Sequence, residues 1–199
     1  MEIELDAHLI RKYANTNFVE GWAITHYSEN GIPTTTANRI YVCKYFKGGY
    51  SIEDRQTAGN ILLTLTKHFI HNQWPIECRP FNSIVVPPAN LDKEFNLTSH
   101  IASRLEAGGI KDLSDGLSKV RHVTPLKNVA LENRKVEIDG SMEFKYLPSG
   151  INPTGVLIFD DILGGGNTAN EVSRAIRQTL PDTPQYYLAL TYIKGQAIQ

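Results

Sequence analysis

The sequence predicts an α/β fold with a doubly wound, mostly parallel sheet. Segments with apolar residues at helical spacing, at 97–105 and 172–176, alternate with short apolar runs that have the composition of strands buried on both faces. These runs are residues 83–86, 155–159 and 186–193. Strands that alternate with helices form parallel sheets covered by helices on both faces. We therefore expect residues 51–199 to form the core of the fold.

The N-terminal part is predicted to be a strand or hairpin addition to that core. Residues 19–27 and 39–46 are rich in strand-forming residue types, and Asn30-Gly31 between them is a turn signal. We expect residues 1–50 to form this addition, a hood beside the core.

A helix is predicted at residues 51–71, where apolar residues recur at three- and four-residue spacing. Ser51 and Asp54 have the spacing of a capping box at its start, and Trp74-Pro75 follows its end. This helix would begin the core.

Residues 108–140 show no clear strand and concentrate positive charge. Within 111–135, six basic residues exceed three acidic ones by three. The basic residues are Lys111, Lys119, Arg121, Lys127, Arg134 and Lys135. Long, basic, weakly patterned connections in compact domains are typical of functional loops.

The composition excludes several classes of protein. Twenty basic residues against twenty-one acidic ones give a net charge of -1, which provides no general attraction for nucleic acid or membranes. Cys43 and Cys78 are too few for a disulfide framework. Residues 1–18 resemble neither a signal peptide nor a membrane span, so we expect a cytoplasmic protein that does not bind membranes.

The segment with the clearest chemistry follows the run at 155–159. Asp160 and Asp161 stand where this strand is predicted to end, at the edge where open α/β sheets bind ligands. Three glycines and the start of a helix come next; the residues are Gly164, Gly165, Gly166, Asn167 and Thr168. Exposed backbone amides at a helix N-terminus suit a phosphate, and carboxylates suit sugar hydroxyls or a divalent metal.

Two other phosphate motifs fit this segment poorly. A P-loop requires a lysine after its glycines, and none follows Gly166. A dinucleotide-binding motif requires an acidic residue at the end of the next strand, but that strand ends near Thr191 and Tyr192 without one.

The segment resembles the phosphoribosyl pyrophosphate motif of type I phosphoribosyltransferases, an apolar strand, two acids, a short spacer and Thr-Thr-Gly-x-Thr. Asp160, Asp161, Gly166 and Thr168 match it, whereas Gly164 and Gly165 replace two threonines. The resemblance implies that the two aspartates bind the ribose hydroxyls and that residues 164–168 surround the 5′-phosphate.

The chain is also similar to the phosphoribosyltransferase domain of the ComF competence-protein family. Val86-Pro87-Pro88 and then Phe95-Asn96 follow the order of the family's first strand and helix. Further matches, from about residue 38 to 193, are Tyr41, Lys44, Tyr45, Asp54, Arg121, Thr124, Lys127, Arg134, Gly140 and Phe144. The family's N-terminal zinc-binding cysteines are absent.

This resemblance implies an Mg²⁺-dependent phosphoribosyltransferase that transfers the phosphoribosyl group to an unidentified nucleophile, such as a nucleobase. Asp160 and Asp161 would be catalytic and would hold Mg²⁺, directly or through water. The residues implied to bind pyrophosphate are Pro88, Ala89, Arg121, Lys127 and Arg134. The ligand would be phosphoribosyl pyrophosphate or another phosphorylated ribose or nucleotide.

Two alternatives remain open at this stage. The protein would instead be a non-catalytic nucleotide sensor, which the loss of the two threonines favours, or a ComF-like protein that binds nucleic acid through residues 111–135. A homo-oligomer is compatible with each of them.

Overall fold

The fold is built on a six-stranded sheet with one antiparallel edge strand. The computed structural model describes residues 8–10, 20–44, 49–74, 81–88, 94–145 and 150–193. Its elements are, in chain order, β1 (His8–Ile10), β2 (Glu20–His26), β3 (Ser28–Glu29), β4 (Ile32–Pro33), α1 (Thr35–Lys44), α2 (Ile52–Asn72), β5 (Ser83–Val85), α3 (Leu97–Glu106), β6 (Lys111–Asp112), β7 (Leu117–Lys119), α4 (Arg134–Ile138), β8 (Met142–Phe144), β9 (Val156–Leu163), α5 (Asn167–Thr179) and β10 (Gln185–Tyr192).

The sheet has the strand order β1-β2-β10-β9-β5-β6. Strands β2, β10, β9, β5 and β6 are parallel, and β1 pairs with β2 in the antiparallel direction. Parallel strands direct their carboxyl ends to one edge, so β9 and its neighbours β5 and β10 place the residues that follow them close together. The predicted α/β class with a mostly parallel sheet is confirmed.

Strand β9 shows why both faces of the sheet are covered. Successive side chains of a strand point to opposite faces. Leu157 and Phe159 pack in the core formed with α1, α2 and α3, whereas Val156 and Ile158 pack in the core that includes α5. An apolar run without polar interruption is therefore what this position requires.

Several predicted elements are confirmed. The run at 83–86 contains β5, the run at 155–159 contains the first half of β9, and the run at 186–193 contains all of β10 except Gln185. The helix predicted at 51–71 is α2, and its capping box forms: the Asp54 amide donates to the Ser51 hydroxyl at 3.1 Å, and the Ser51 amide donates to the Asp54 carboxylate at 2.9 Å.

The predicted pairing of 19–27 with 39–46 is wrong. Residues 39–44 lie in α1, and 45–46 fall outside the described residues. Helix α1 buries Ala37, Ile40 and Cys43 at three-residue spacing, and Ile40 and Cys43 lie in the same core as α2. This packing outweighs the strand preference of the individual residue types.

The turn at Asn30-Gly31 does form, with φ of 49° and 80°, but it closes the short β3–β4 pair. Positive φ at two successive residues is typical of tight hairpin turns. Strand β2 belongs to the main sheet beside β10, so the sheet extends across the predicted boundary at residue 50.

The expectation of no strand in 108–140 is also wrong. Strand β6 extends the sheet beside β5, and β7 pairs with β8 in an antiparallel ribbon. Strands of two and three residues are too short to produce a recognisable sequence period. None of the helices in the described ranges has the length and apolarity that crossing a bilayer requires.

Candidate functional site

The candidate site lies where β9 leads into α5. Strand β9 continues past Phe159 to Leu163, so Asp160 and Asp161 lie within the strand and not after it. Gly166 is the N-cap of α5 and has φ of 77°, a conformation that glycine adopts without steric cost. No side chain at this N-cap position accepts a hydrogen bond from the first turn of the helix. The positive end of the α5 dipole therefore faces the cavity without a side-chain cap, which suits an anion.

Asp160 is the carboxyl group of the pair whose pKa is strongly raised. Its Oδ1 accepts a hydrogen bond from the Asp161 amide at 2.8 Å. Burial raises the pKa of Asp160 from 3.8 to about 7, the negative charge of Asp161 adds to the rise, and Lys44 opposes it. A carboxyl group whose pKa lies near neutrality can accept or donate a proton under physiological conditions.

Asp161 forms an ion pair with Lys44, the last residue of α1. The Lys44 Nζ lies 2.7 Å from Asp161 Oδ2, and the two side chains are 30% and 13% exposed. A short charge-assisted contact at a partly buried position is stronger than a solvent-exposed pair. The ion pair therefore fixes the end of α1 to the carboxyl half of β9.

The larger of two cavities at this edge has a volume of about 450 Å³. Asp160 and Asp161 line it together with every residue predicted to bind the phosphate, namely Gly164, Gly165, Gly166, Asn167 and Thr168. Lys44 and Arg134 supply positive charge to its wall. The cavity thus combines two carboxylates, a helix N-terminus and two cations.

The second cavity, of about 220 Å³, shares Lys44, Asp160 and Asp161 with the first. Its remaining lining comes from the turn after β5 and the start of α3; these residues are Cys43, Pro87, Pro88, Phe95, Asn96, Leu97 and Thr98. Asn96 caps α3 by accepting a hydrogen bond from the Ser99 amide at 3.2 Å. The two cavities together can hold a ligand with two separate polar groups joined beside the aspartates.

The residues predicted to bind pyrophosphate are dispersed. Pro88 lines the smaller cavity and Arg134 the larger one. Arg121 lines neither, and its guanidinium donates to the carbonyl groups of Glu137 and Asp139 at 2.6 and 2.8 Å. The Lys127 side chain and all of Ala89 lie outside what the structure describes.

Sequence reasoning missed Lys44 as a site residue. The segment 39–46 was interpreted as a strand, which gave no reason to place its lysine beside Asp161. A helical interpretation would have placed Lys44 in the last turn, where a cation is favoured by the helix dipole. The position of Asn96 and Thr98 beside the aspartates was not predicted, because it depends on how α3 packs against β9.

The residues present do not fit an Mg²⁺ ion held by the protein alone. Mg²⁺ prefers several oxygen ligands in octahedral geometry, but the Lys44 ammonium contacts one Asp161 oxygen and the Asp161 amide contacts one Asp160 oxygen. Within the described residues, no group of three or more His, Cys, Asp or Glu side chains is placed to hold a metal ion. An Mg²⁺ ion that arrives on a phosphorylated ligand stays a prediction.

Comparisons with known proteins do not assign the chain to a family. No protein-family model matches the sequence, and no curated protein matches it. The geometry of the β9–α5 edge is therefore the basis for the functional conclusion.

Proposed function

We propose that this protein binds phosphoribosyl pyrophosphate at the β9–α5 edge and transfers its phosphoribosyl group to a nucleophile, in a fold of the type I phosphoribosyltransferase kind. The observation that carries the proposal is the larger cavity, in which the paired carboxylates and the uncapped N-terminus of α5 face one space. Few ligands other than a phosphorylated sugar need both an anion site and hydroxyl acceptors so close together.

The 5′-phosphate is assigned to residues 164–168. Gly166 has positive φ, which turns the backbone, and the start of α5 supplies amide donors and a favourable dipole. Thr168 lines the same cavity and adds a hydroxyl group. Gly164 and Gly165 have no side-chain donors, so in this turn their backbone amides would supply the contacts to the phosphate.

The ribose hydroxyls are assigned to Asp160 and Asp161, because carboxylates accept hydrogen bonds from neighbouring hydroxyls. The pyrophosphate is assigned to the smaller cavity, where Lys44 and the N-terminus of α3 supply positive potential. Both aspartates line both cavities, which supports an assignment of the ribose between the two phosphate groups.

In the proposed transfer, the bond between ribose C1 and the pyrophosphate oxygen breaks, and its electron pair leaves with pyrophosphate. The lone pair of the acceptor forms the new bond to C1, and the acceptor's proton passes to a base or to solvent. Lys44 and the amides of α3 stabilise the charge that develops on the leaving group. Asp160, with a pKa near 7, is a candidate acceptor for the proton.

The proposal is tested by isothermal titration of the protein with phosphoribosyl pyrophosphate, and separately with ribose 5-phosphate. We expect saturable binding that the double substitution Asp160→Asn, Asp161→Asn abolishes. Asp182→Asn, a change of the same type at an exposed turn, should bind like the wild type. Absence of binding to the folded wild type, or unchanged binding by the double variant, would refute the proposal.

Transfer is distinguished from sensing by measuring pyrophosphate release over a panel of nucleobases. Gly164 and Gly165, which lack the hydroxyl groups of the motif's threonines, favour the sensor as the second candidate. Binding with release supports a transferase, and binding without release from any acceptor supports a non-catalytic sensor.

A further inference from the structure

Lys44 occupies a singular place among the charged residues of the site. Within the described lining of the two cavities, the charged side chains are Lys44, Arg134, Asp160 and Asp161, and Lys44 is the cation that both cavities share. It also contacts Asp161 at 2.7 Å. A ligand that spans the two cavities therefore lies beside Lys44.

The position of Lys44 is fixed by the helix that carries it. Ile40, one turn before Lys44, and Cys43, the residue just before it, are buried in the core with α2. The Cys43 Sγ donates to the Arg55 carbonyl at 3.5 Å, which joins the end of α1 to α2. Lys44 thus extends from a packed helix end. Its side chain is ordered before the ligand binds, so the entropy cost of ordering it does not reduce the affinity for the ligand.

An ammonium group at this place can do what a divalent cation does in an anionic sugar site. It carries three donors, so it can contact a carboxylate and a phosphate oxygen together. It neutralises Asp161, which removes repulsion between that carboxylate and the phosphates of the ligand. The arrangement of contacts around Asp160 and Asp161 is, by contrast, a poor match for a resident Mg²⁺ ion.

We propose that Lys44 is the built-in counter-cation of this site, which joins Asp161 to the phosphates of the ligand and makes ligand binding independent of divalent metal. The inference rests on the proposed function, because it concerns how the same site holds phosphoribosyl pyrophosphate. Lys44 is a binding residue in this scheme, and it belongs to the N-terminal segment and not to the β9–α5 motif.

The experiment is calorimetric titration with phosphoribosyl pyrophosphate in EDTA and again in excess Mg²⁺. The wild type should bind with less than about a threefold difference in Kd between the two conditions. Lys44→Met should lose about tenfold to hundredfold in affinity in EDTA, which is the scale of one charge-assisted hydrogen bond, and Mg²⁺ should restore part of the loss.

Two further variants separate charge from folding. Lys44→Arg keeps the cation and should retain binding in EDTA. Lys145→Met removes a lysine from an exposed pair with Glu143 at 2.8 Å, and it should bind like the wild type in both conditions. Melting temperatures establish that each variant is folded.

A second measurement needs no sugar ligand. Mn²⁺, observed by electron paramagnetic resonance as a probe for a divalent site, should bind Lys44→Met at least severalfold more tightly than it binds the wild type or Lys145→Met, because Asp161 is then released. Equal Mn²⁺ affinity for all three proteins counts against the proposal.

The outcomes of the titrations distinguish failure of the role of Lys44 from failure of the proposed function. Wild-type binding that disappears in EDTA and returns with Mg²⁺, or unchanged binding by Lys44→Met in EDTA, overturns the role of Lys44 and leaves the proposed function standing. Absence of binding by the wild type in both conditions overturns the proposed function itself, and the role of Lys44 with it.

Discussion

Replacement of Asp160 by asparagine is expected to stabilise the fold. The pKa of Asp160 is raised from 3.8 to about 7 by burial and by Asp161, so the ionised form is disfavoured in the folded protein. The Asp161 amide hydrogen bond survives in the variant, because an asparagine side chain also presents an oxygen acceptor at this position. Asparagine removes the charge while keeping the shape.

The expected gain in stability follows from the raised pKa of Asp160. At about 1.4 kcal/mol per pKa unit, a rise of about three units sets an upper limit of about 4 kcal/mol. Asp160 keeps partial exposure, and water screens part of this cost, so we expect a gain of roughly 2 kcal/mol at pH 8. For a chain of this length, that gain corresponds to an increase of about 4–8 °C in melting temperature.

The gain must depend on pH with a definite sign. The folded-state pKa lies above the unfolded value, so the wild type loses stability as the pH rises from about 4 to about 7, and the cost is constant above that range. The advantage of Asp160→Asn should therefore be smaller at pH 5 than at pH 8. Asp161→Asn should lower the free energy of unfolding, because it removes the ion pair with Lys44.

The assay is urea denaturation of the wild type and both single variants at pH 5 and pH 8. An Asp160→Asn protein that is no more stable than the wild type at pH 8, or that gains equally at both pH values, would refute this account of the carboxylate environment.

Three other predictions concern the surroundings of the site. Burial and the charge of Asp161 raise the pKa of Cys43 to about 12. The thiol should therefore resist iodoacetamide at pH 8 in the folded protein and react only in denaturant, as measured by mass spectrometry. Rapid labelling of the folded protein would contradict this prediction. Glu171→Ala removes the acceptor for the Met142 amide at 2.8 Å and for Arg174 Nε at 2.7 Å, and it should lower the free energy of unfolding by about 3 kcal/mol or more. Glu143→Ala, in the exposed pair with Lys145, should change the free energy of unfolding by less than about 1 kcal/mol. Equal effects of the two substitutions would show that the burial of Glu171 is immaterial. Gly166→Ala places a Cβ on a residue with φ of 77°. The substitution should lower the free energy of unfolding, measured by urea denaturation, by about 1–2 kcal/mol and should weaken ribose 5-phosphate binding. Wild-type behaviour in both assays would argue against a required left-handed turn.

The parts of the fold that the sequence predicts well are those with a long or unbroken pattern. Strand β9 is an apolar run long enough to be recognised, and α2 combines a capping box with many turns of consistent spacing. The residues predicted to bind phosphate belong to one local segment, and they line one cavity because neighbours along a turn remain neighbours in space.

Contacts between distant segments could not be predicted in the same way. Lys44 and Asp161 are separated by most of the chain, and they meet because α1 packs on α2 above the sheet. Arg121 shows the converse, since its position in a basic loop suggested a phosphate ligand, yet its guanidinium contacts backbone carbonyls of the same loop. Side-chain direction in irregular segments depends on such local partners, which no sequence period encodes.

Helix α5 has two tasks that are joined in one rigid element. Its first turn borders the larger cavity, and one turn later the buried Glu171 and the partly buried Arg174 bond to the backbone of Met142 in β8. The segment between β7 and β8 is therefore anchored at both ends to a ribbon that shares a buried core with that helix and with β9. From this segment Leu126 and Arg134 line the larger cavity, so an exchange at Arg134 would alter the wall of the cavity and leave Asp160, Asp161 and the glycine turn in place. The architecture thus allows one wall of the larger cavity to change through this segment, with the β9–α5 edge left intact.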